Sequence, residues 1–163
     1  MRNIKQLENQ EHLIKTLKEI AEQQHNEGFF LYLIMHSVSK EEHNVLAGFY
    51  NPTKNIVKTA KFIEDSWLFD SSEDQIVSQE IPKEIDLDDF IPLDKIIKNL
   101  SQSEPDFNKY LKIIASLSFN NENETPVWNL LVILDTHKVK NLKINAKSQE
   151  IISNEEVNLI KRA

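Results

Sequence analysis

The sequence has no cysteine and only two glycines, Gly28 and Gly48, in 163 residues. Without cysteine there is no disulfide scaffold, no thiolate metal site and no thiol nucleophile. Two isolated glycines rule out a P-loop and a Rossmann fingerprint, which need several to bring backbone amides close to phosphate. No Gly-x-Ser-x-Gly elbow is present either. The longest apolar run, Phe29 to Met35, falls far short of the ~20 residues of a membrane helix. The N-terminal Met-Arg-Asn-Ile-Lys has no apolar core of a secretory signal. The composition therefore predicts a soluble, cytoplasmic chain with no membrane association.

What is present is a hydrophobic fraction of 40%, enough for a packed core, and a net charge of −7 from 26 acidic and 19 basic residues. The charge is uneven. Glu64 to Phe90 holds ten acidic residues against the single base Lys83, whereas Lys138 to Ala163 holds six basic against three acidic. An acidic balance disfavours nucleic acid, whose binding depends on neutralising phosphates. It suits a solvated face or a basic protein partner.

Hydrophobic periodicity predicts an amphipathic helix over residues 4 to 26. Ile4, Leu7, Ile14, Leu17 and Ala21 form its stripe, and Gly28 its C-terminal stop. Phe29–Val38 reads as a strand covered on both faces, followed by strands at Val45–Tyr50 and Ile56–Ile63 around the turn Asn51-Pro52-Thr53-Lys54-Asn55. Trp67-Leu68-Phe69 and Gln75-Ile76-Val77 are candidate short strands. Pro92 opens a helix with Leu93, Ile96, Ile97 and Leu100 on one face. Ser103 and Pro105 start another, striped by Phe107, Tyr110, Leu111, Ile114 and Leu117. Val127–Leu134 and Val139–Ile144 read as strands, and Ser153-Asn154-Glu155-Glu156 as the capping box of a final helix containing Val157 and Ile160.

The class is α+β, an antiparallel β-meander with helices packed on one face. The organisation is residues 1–80 as a helix-plus-meander half, 81–92 as an acidic connector, and 93–163 as a second half, all within reach of one compact domain. The order helix, apolar strand, turn, strand, asparagine-led turn, strand occurs twice. It pairs Phe29–Val38 with Val127–Leu134, and the turn at Asn51 with the turn at Asn145.

The stretch Trp128…Val132…Val139…Leu142-Lys143-Ile144-Asn145-Ala146-Lys147-Ser148-Gln149-Glu150-Ile151-Ile152 resembles the last two strands of a PepSY-type domain. Asn145-Ala146 stands for that family's Asp-Ala pair and Ser148-Gln149 for its Thr-Gly turn. About 25 residues carry the resemblance, and the family's Gly and Asp are both replaced. It implies a helix-on-sheet fold and a binding or inhibitory module without catalytic residues, and as a peptidase inhibitor an exported setting. The element order alone is similar to type III secretion chaperones, which are dimers that hold an extended effector segment. That likeness makes a homodimer a compatible assembly.

Chemistry-bearing residues are sparse. His12, His25, His36, His43 and His137 lack His-x-x-x-His spacing, so no helical zinc site is indicated. His36 and His43 can face one another across a hairpin near Glu41 and Glu42, yet two imidazoles fall short of the three or four ligands zinc requires. His36-Ser37 with a nearby glutamate is triad-like only in sequence. Asp86-Leu87-Asp88-Asp89 lacks the alternating ligands and glycine of a calcium loop. No catalytic residue, metal or cofactor is assigned. The expected function is a non-enzymatic protein-binding module of inhibitor, chaperone or adaptor type. It would meet a basic partner through Trp67, Phe69, Asp70, Asp86, Asp88, Asp89 and Phe90, acid with embedded aromatics. The alternative is a small-molecule binder or small enzyme with a pocket between helix and curved sheet, drawing on His36, Tyr32 or Asp135.

Overall fold

A computed structural model describes residues 10–75, 81–122, 124–134 and 137–158. Helix α1 (Gln10–Asn26) leads into strands β1 (Phe30–Ser39), β2 (His43–Asn51), β3 (Ile56–Ile63), β4 (Ser66–Phe69) and the two-residue β5 (Asp74–Gln75). After the connector, helix α2 (Leu93–Ser103) and a 3₁₀ turn at Pro105–Lys109 lead into β6 (Tyr110–Asn120), β7 (Thr125–Leu134), β8 (Lys138–Asn145) and β9 (Ile151–Asn158). The strands form one antiparallel sheet in the order β4-β3-β2-β1-β6-β7-β8-β9, with β5 also paired to β3. The fold is α+β with a meander sheet, as the periodicity predicts.

A helix and a four-strand meander thus occur twice, and the first strand of each meander meets the other at the sheet centre. Ile34 faces Leu117 and His36 faces Ala115 across this β1–β6 seam. One cluster of buried side chains, among them Leu17, Phe49, Ile97 and Trp128, runs through both halves. Both helices lie on the face carrying Ile34, Leu117, Trp128 and Ile144.

Local chemistry explains three of the element ends. Gly28 takes φ 88 and donates its N–H to the His25 carbonyl, closing α1. Asn51 ends β2 with its side-chain oxygen accepting the amides of Thr53 and Lys54, each at 3.0 Å. Asn145 does the same at the end of β8 for Lys147 and Ser148, at 2.9 and 3.1 Å.

Several expectations are corrected. The helix expected from Ser103 through Leu117 is a short 3₁₀ turn followed by strand β6, in which Ile113, Ala115 and Leu117 alternate into the core. The capping box at Ser153 starts no helix, because Ile151–Asn158 is the edge strand β9 hydrogen-bonded to β8. The parallel in element order is therefore offset by one strand from the expected one. The counterpart of β1 is β6, not β7, and the turns at Asn51 and Asn145 are separate uses of one hairpin chemistry. Ile4, Leu7, Ile76, Val77, Asp135 and Ile160 lie outside the described residues.

Candidate binding site

The connector decides what surrounds the acidic residues. Residues 81–92 pass across the helical face and are tied down at both ends. The Ile85 amide donates to the Leu31 carbonyl at 2.9 Å, and the Ile91 amide to the Ala146 carbonyl at 2.7 Å. The Trp128 indole N–H donates to the Ile91 carbonyl at 2.8 Å. Ile85 is buried, and Leu87, Phe90 and Ile91 pack on the core. Alternating apolar residues thus press the chain down and leave the acidic ones outward.

Those acids are partly engaged. Asp86 accepts the Asp88 amide at 2.9 Å in an Asx turn. Asp88 pairs with Lys18 of α1, and Asp89 with Lys147 at 2.6 Å. The ring of Phe90 lies 6.3 Å from Trp128, edge to face. Trp67, Phe69 and Asp70 lie elsewhere, on and just after β4. Trp67 is buried and donates its indole N–H to Thr16 Oγ1 at 3.1 Å, so it is a core residue rather than an exposed anchor. Phe69 packs against Phe49, and the Asp70 amide bonds to the Thr59 carbonyl at 2.8 Å. Thr16 and Lys18 project from α1 more than half a turn apart. The helix therefore separates the β4 group from the connector group, and the seven candidate residues form no single surface.

Between α1 and the connector lies a groove of about 560 Å³, continuous with a deeper recess of about 240 Å³. Ala21 and Leu87 line both, and Phe30 and Leu31 floor the recess. Glu22, Glu84 and Asp88 border the groove and Asp86 the recess, with His25 beside them and Lys18 on the same side. Glu22, His25, Glu84, Asp86 and Asp88 are all exposed. Glu22, His25 and Glu84 were not among the residues expected from sequence. The signal for the helical ones is the spacing Lys18, Glu22, His25, a polar stripe at i, i+4, i+7 beside the apolar one.

The histidine pair has a different character. His36 Nδ1 and His43 Nε2 are 2.9 Å apart, with rings stacked 5.1 Å between centroids. His36 is 1% exposed and lies 5.7 Å from Trp128. Burial, reinforced by the neighbouring His43, lowers its pKa to about 3. Ser37 alternates to the opposite face of the sheet, which separates it from His36 and removes a triad geometry. Tyr32 sits over Gly48, where an added Cβ would meet its ring at 2.9 Å. Gly48 is on the face away from Val45 and Ala47, so Tyr32 and His36 share no pocket. Among the described residues, no group of three or more His, Asp and Glu side chains is placed to hold a metal ion. None of the described helices is long and apolar enough to cross a membrane.

No family model matches the chain, and no curated protein sequence does. Among solved structures, the chain is similar to the crystal structure of a putative lipoprotein from Clostridium difficile 630. The TM-score is 0.59 at 10% identity, over 83% of this chain and 87% of that one. At that identity the likeness is one of fold.

Proposed function

We propose that the chain is a protein-binding module that takes a basic segment of its partner into the groove between α1 and the connector. The observation that carries this reading is the bordering of one groove by Glu22, Glu84, Asp86 and Asp88 over an apolar floor. Carboxylates at a rim steer a cationic segment, and the floor accepts an apolar anchor between its charges. The reading keeps Asp86 and Asp88 as partner contacts and drops Trp67.

The PepSY resemblance supports a binding or inhibitory role. Gln149, which stands where that family has glycine, is left-handed at φ 65, and Ala146 is fully buried. The element order running twice supports reading the halves as an internal repeat.

Fluorescence anisotropy with a labelled Lys/Arg-rich peptide carrying one leucine tests the proposal. Binding is expected at low ionic strength, with marked weakening at high ionic strength. The double reversal Glu22→Lys/Glu84→Lys is expected to weaken it by about tenfold or more. No binding at low salt, or binding indifferent to the double reversal, overturns the reading.

A further inference from the structure

The two halves place equivalent residues at equivalent points, and one point differs. Gln10, Leu13 and Leu17 of α1 turn into the core, and Leu93, Ile96 and Leu100 of α2 do so at the same spacing. Thr16, preceding Leu17, thus has Asn99, preceding Leu100, as its counterpart. On the third and fourth strands of each meander, Phe62 faces Trp67 and Ile144 faces Ile151. Trp67 thus has Ile151 as its counterpart.

In the first half the indole of Trp67 closes the space between helix and sheet edge. Its ring lies 5.0 Å from Phe62, and its N–H is taken by Thr16. In the second half the same space is a cavity of about 400 Å³ walled by Ile96, Leu100, Ile144 and Ile151. Ile151 is 41% exposed where Trp67 is 9% exposed. Asn99 and Gln149 border the opening. The side-chain amides of Asn99 and Gln149 meet there, and the Asn99 amide carries an oxygen that can serve as the acceptor in the place of Thr16 Oγ1.

We propose that this cavity is a receptor for an indole-type group from outside the chain, a planar apolar ring with one N–H donor. The ring lies against Leu100 and Ile144, and its N–H is given to Asn99. The volume is within the range of small-ligand sites, and an aromatic ring gains from burial and from its polar handle together. The inference stands apart from the acidic groove, which lies on the other helix.

Nitrogen-15 NMR titration of the full chain with free indole, N-methylindole and N-acetyl-tryptophanamide tests it. Indole is expected to shift amides confined to residues 96–103 and 144–151. N-methylindole, which lacks the donor, is expected to bind about fivefold weaker. Tighter binding of the tryptophan amide identifies a partner's side chain as the source, and tighter binding of indole a free aromatic. In Ile151→Trp the chain supplies its own ring, so the melting temperature rises and the indole shifts vanish, while basic-peptide binding is unchanged. Should that variant fail to fold, Asn99→Ala at an exposed helical position is expected to abolish the preference for indole over N-methylindole. Absence of shifts in these two segments, or equal binding of indole and N-methylindole to the unaltered chain, overturns the proposal.

Discussion

Trp128 shows how much one side chain can fix. It is 1% exposed, touches His36 and Phe90 with its ring, and holds the connector by its indole N–H. Trp128→Phe leaves the Ile91 carbonyl unpaired and opens space beside two other rings. We expect a loss of about 2–3 kcal/mol in denaturant unfolding. Trp67→Phe is expected to cost less, because Thr16 Oγ1 keeps its own hydrogen bonds to the His12 and Leu13 carbonyls. His36 makes a second prediction. Its folded pKa of about 3 lies below the usual 6.5, so the unfolded chain takes up the proton first. The stability tied to neutral His36 is whole above about pH 6.5 and drains away as pH falls from there toward 3. Melts across this range should lose stability more steeply for the unaltered chain than for His36→Leu. Parallel slopes would refute the assignment.

Elements held by strong local signals were legible in the sequence, and those held by long-range pairing were not. α1 ends at Gly28 because only a left-handed residue closes it there, and Gly28→Ala is expected to destabilise by about 1 kcal/mol or more. The added Cβ would also lie 3.3 Å from the Asn51 side-chain Nδ2. β6 misled because Phe107, Tyr110, Ile114 and Leu117 satisfy a helical spacing, while its real signal, Ile113, Ala115 and Leu117 at period two, is interrupted only by Ile114. What decides between the periods is a place at the sheet centre between β1 and β7, which no local window contains. β9 misled for the opposite reason. It is mostly exposed, so its composition carries no burial pattern, and its helix-capping motif went uncontested until the Asn145 turn delivered it to β8. The same limit applied to the site. The acidic run was visible, but the crossing of the connector beside α1, which brings Glu84, Asp86 and Asp88 to Glu22, was not.

At the scale of the molecule, each meander leaves its first strand with one edge open, and each closes the other's. Neither half is expected to fold alone. Residues 1–80 and 81–163, made separately, should show little tertiary signal in near-ultraviolet circular dichroism and regain it on mixing. Cooperative unfolding of the isolated N-terminal half would contradict this. The central seam also sets an order of events in time. β1 is finished near Ser39, but the strand that covers it ends at Asn120. At ordinary translation speeds of roughly 5–20 residues per second, β1 waits on the order of 4–16 s for its neighbour. Throughout that interval the growing chain shows an apolar strand with bare amides and carbonyls to the cell. The seam that unites the finished protein is thus the point at which its synthesis most needs protection from other nascent chains.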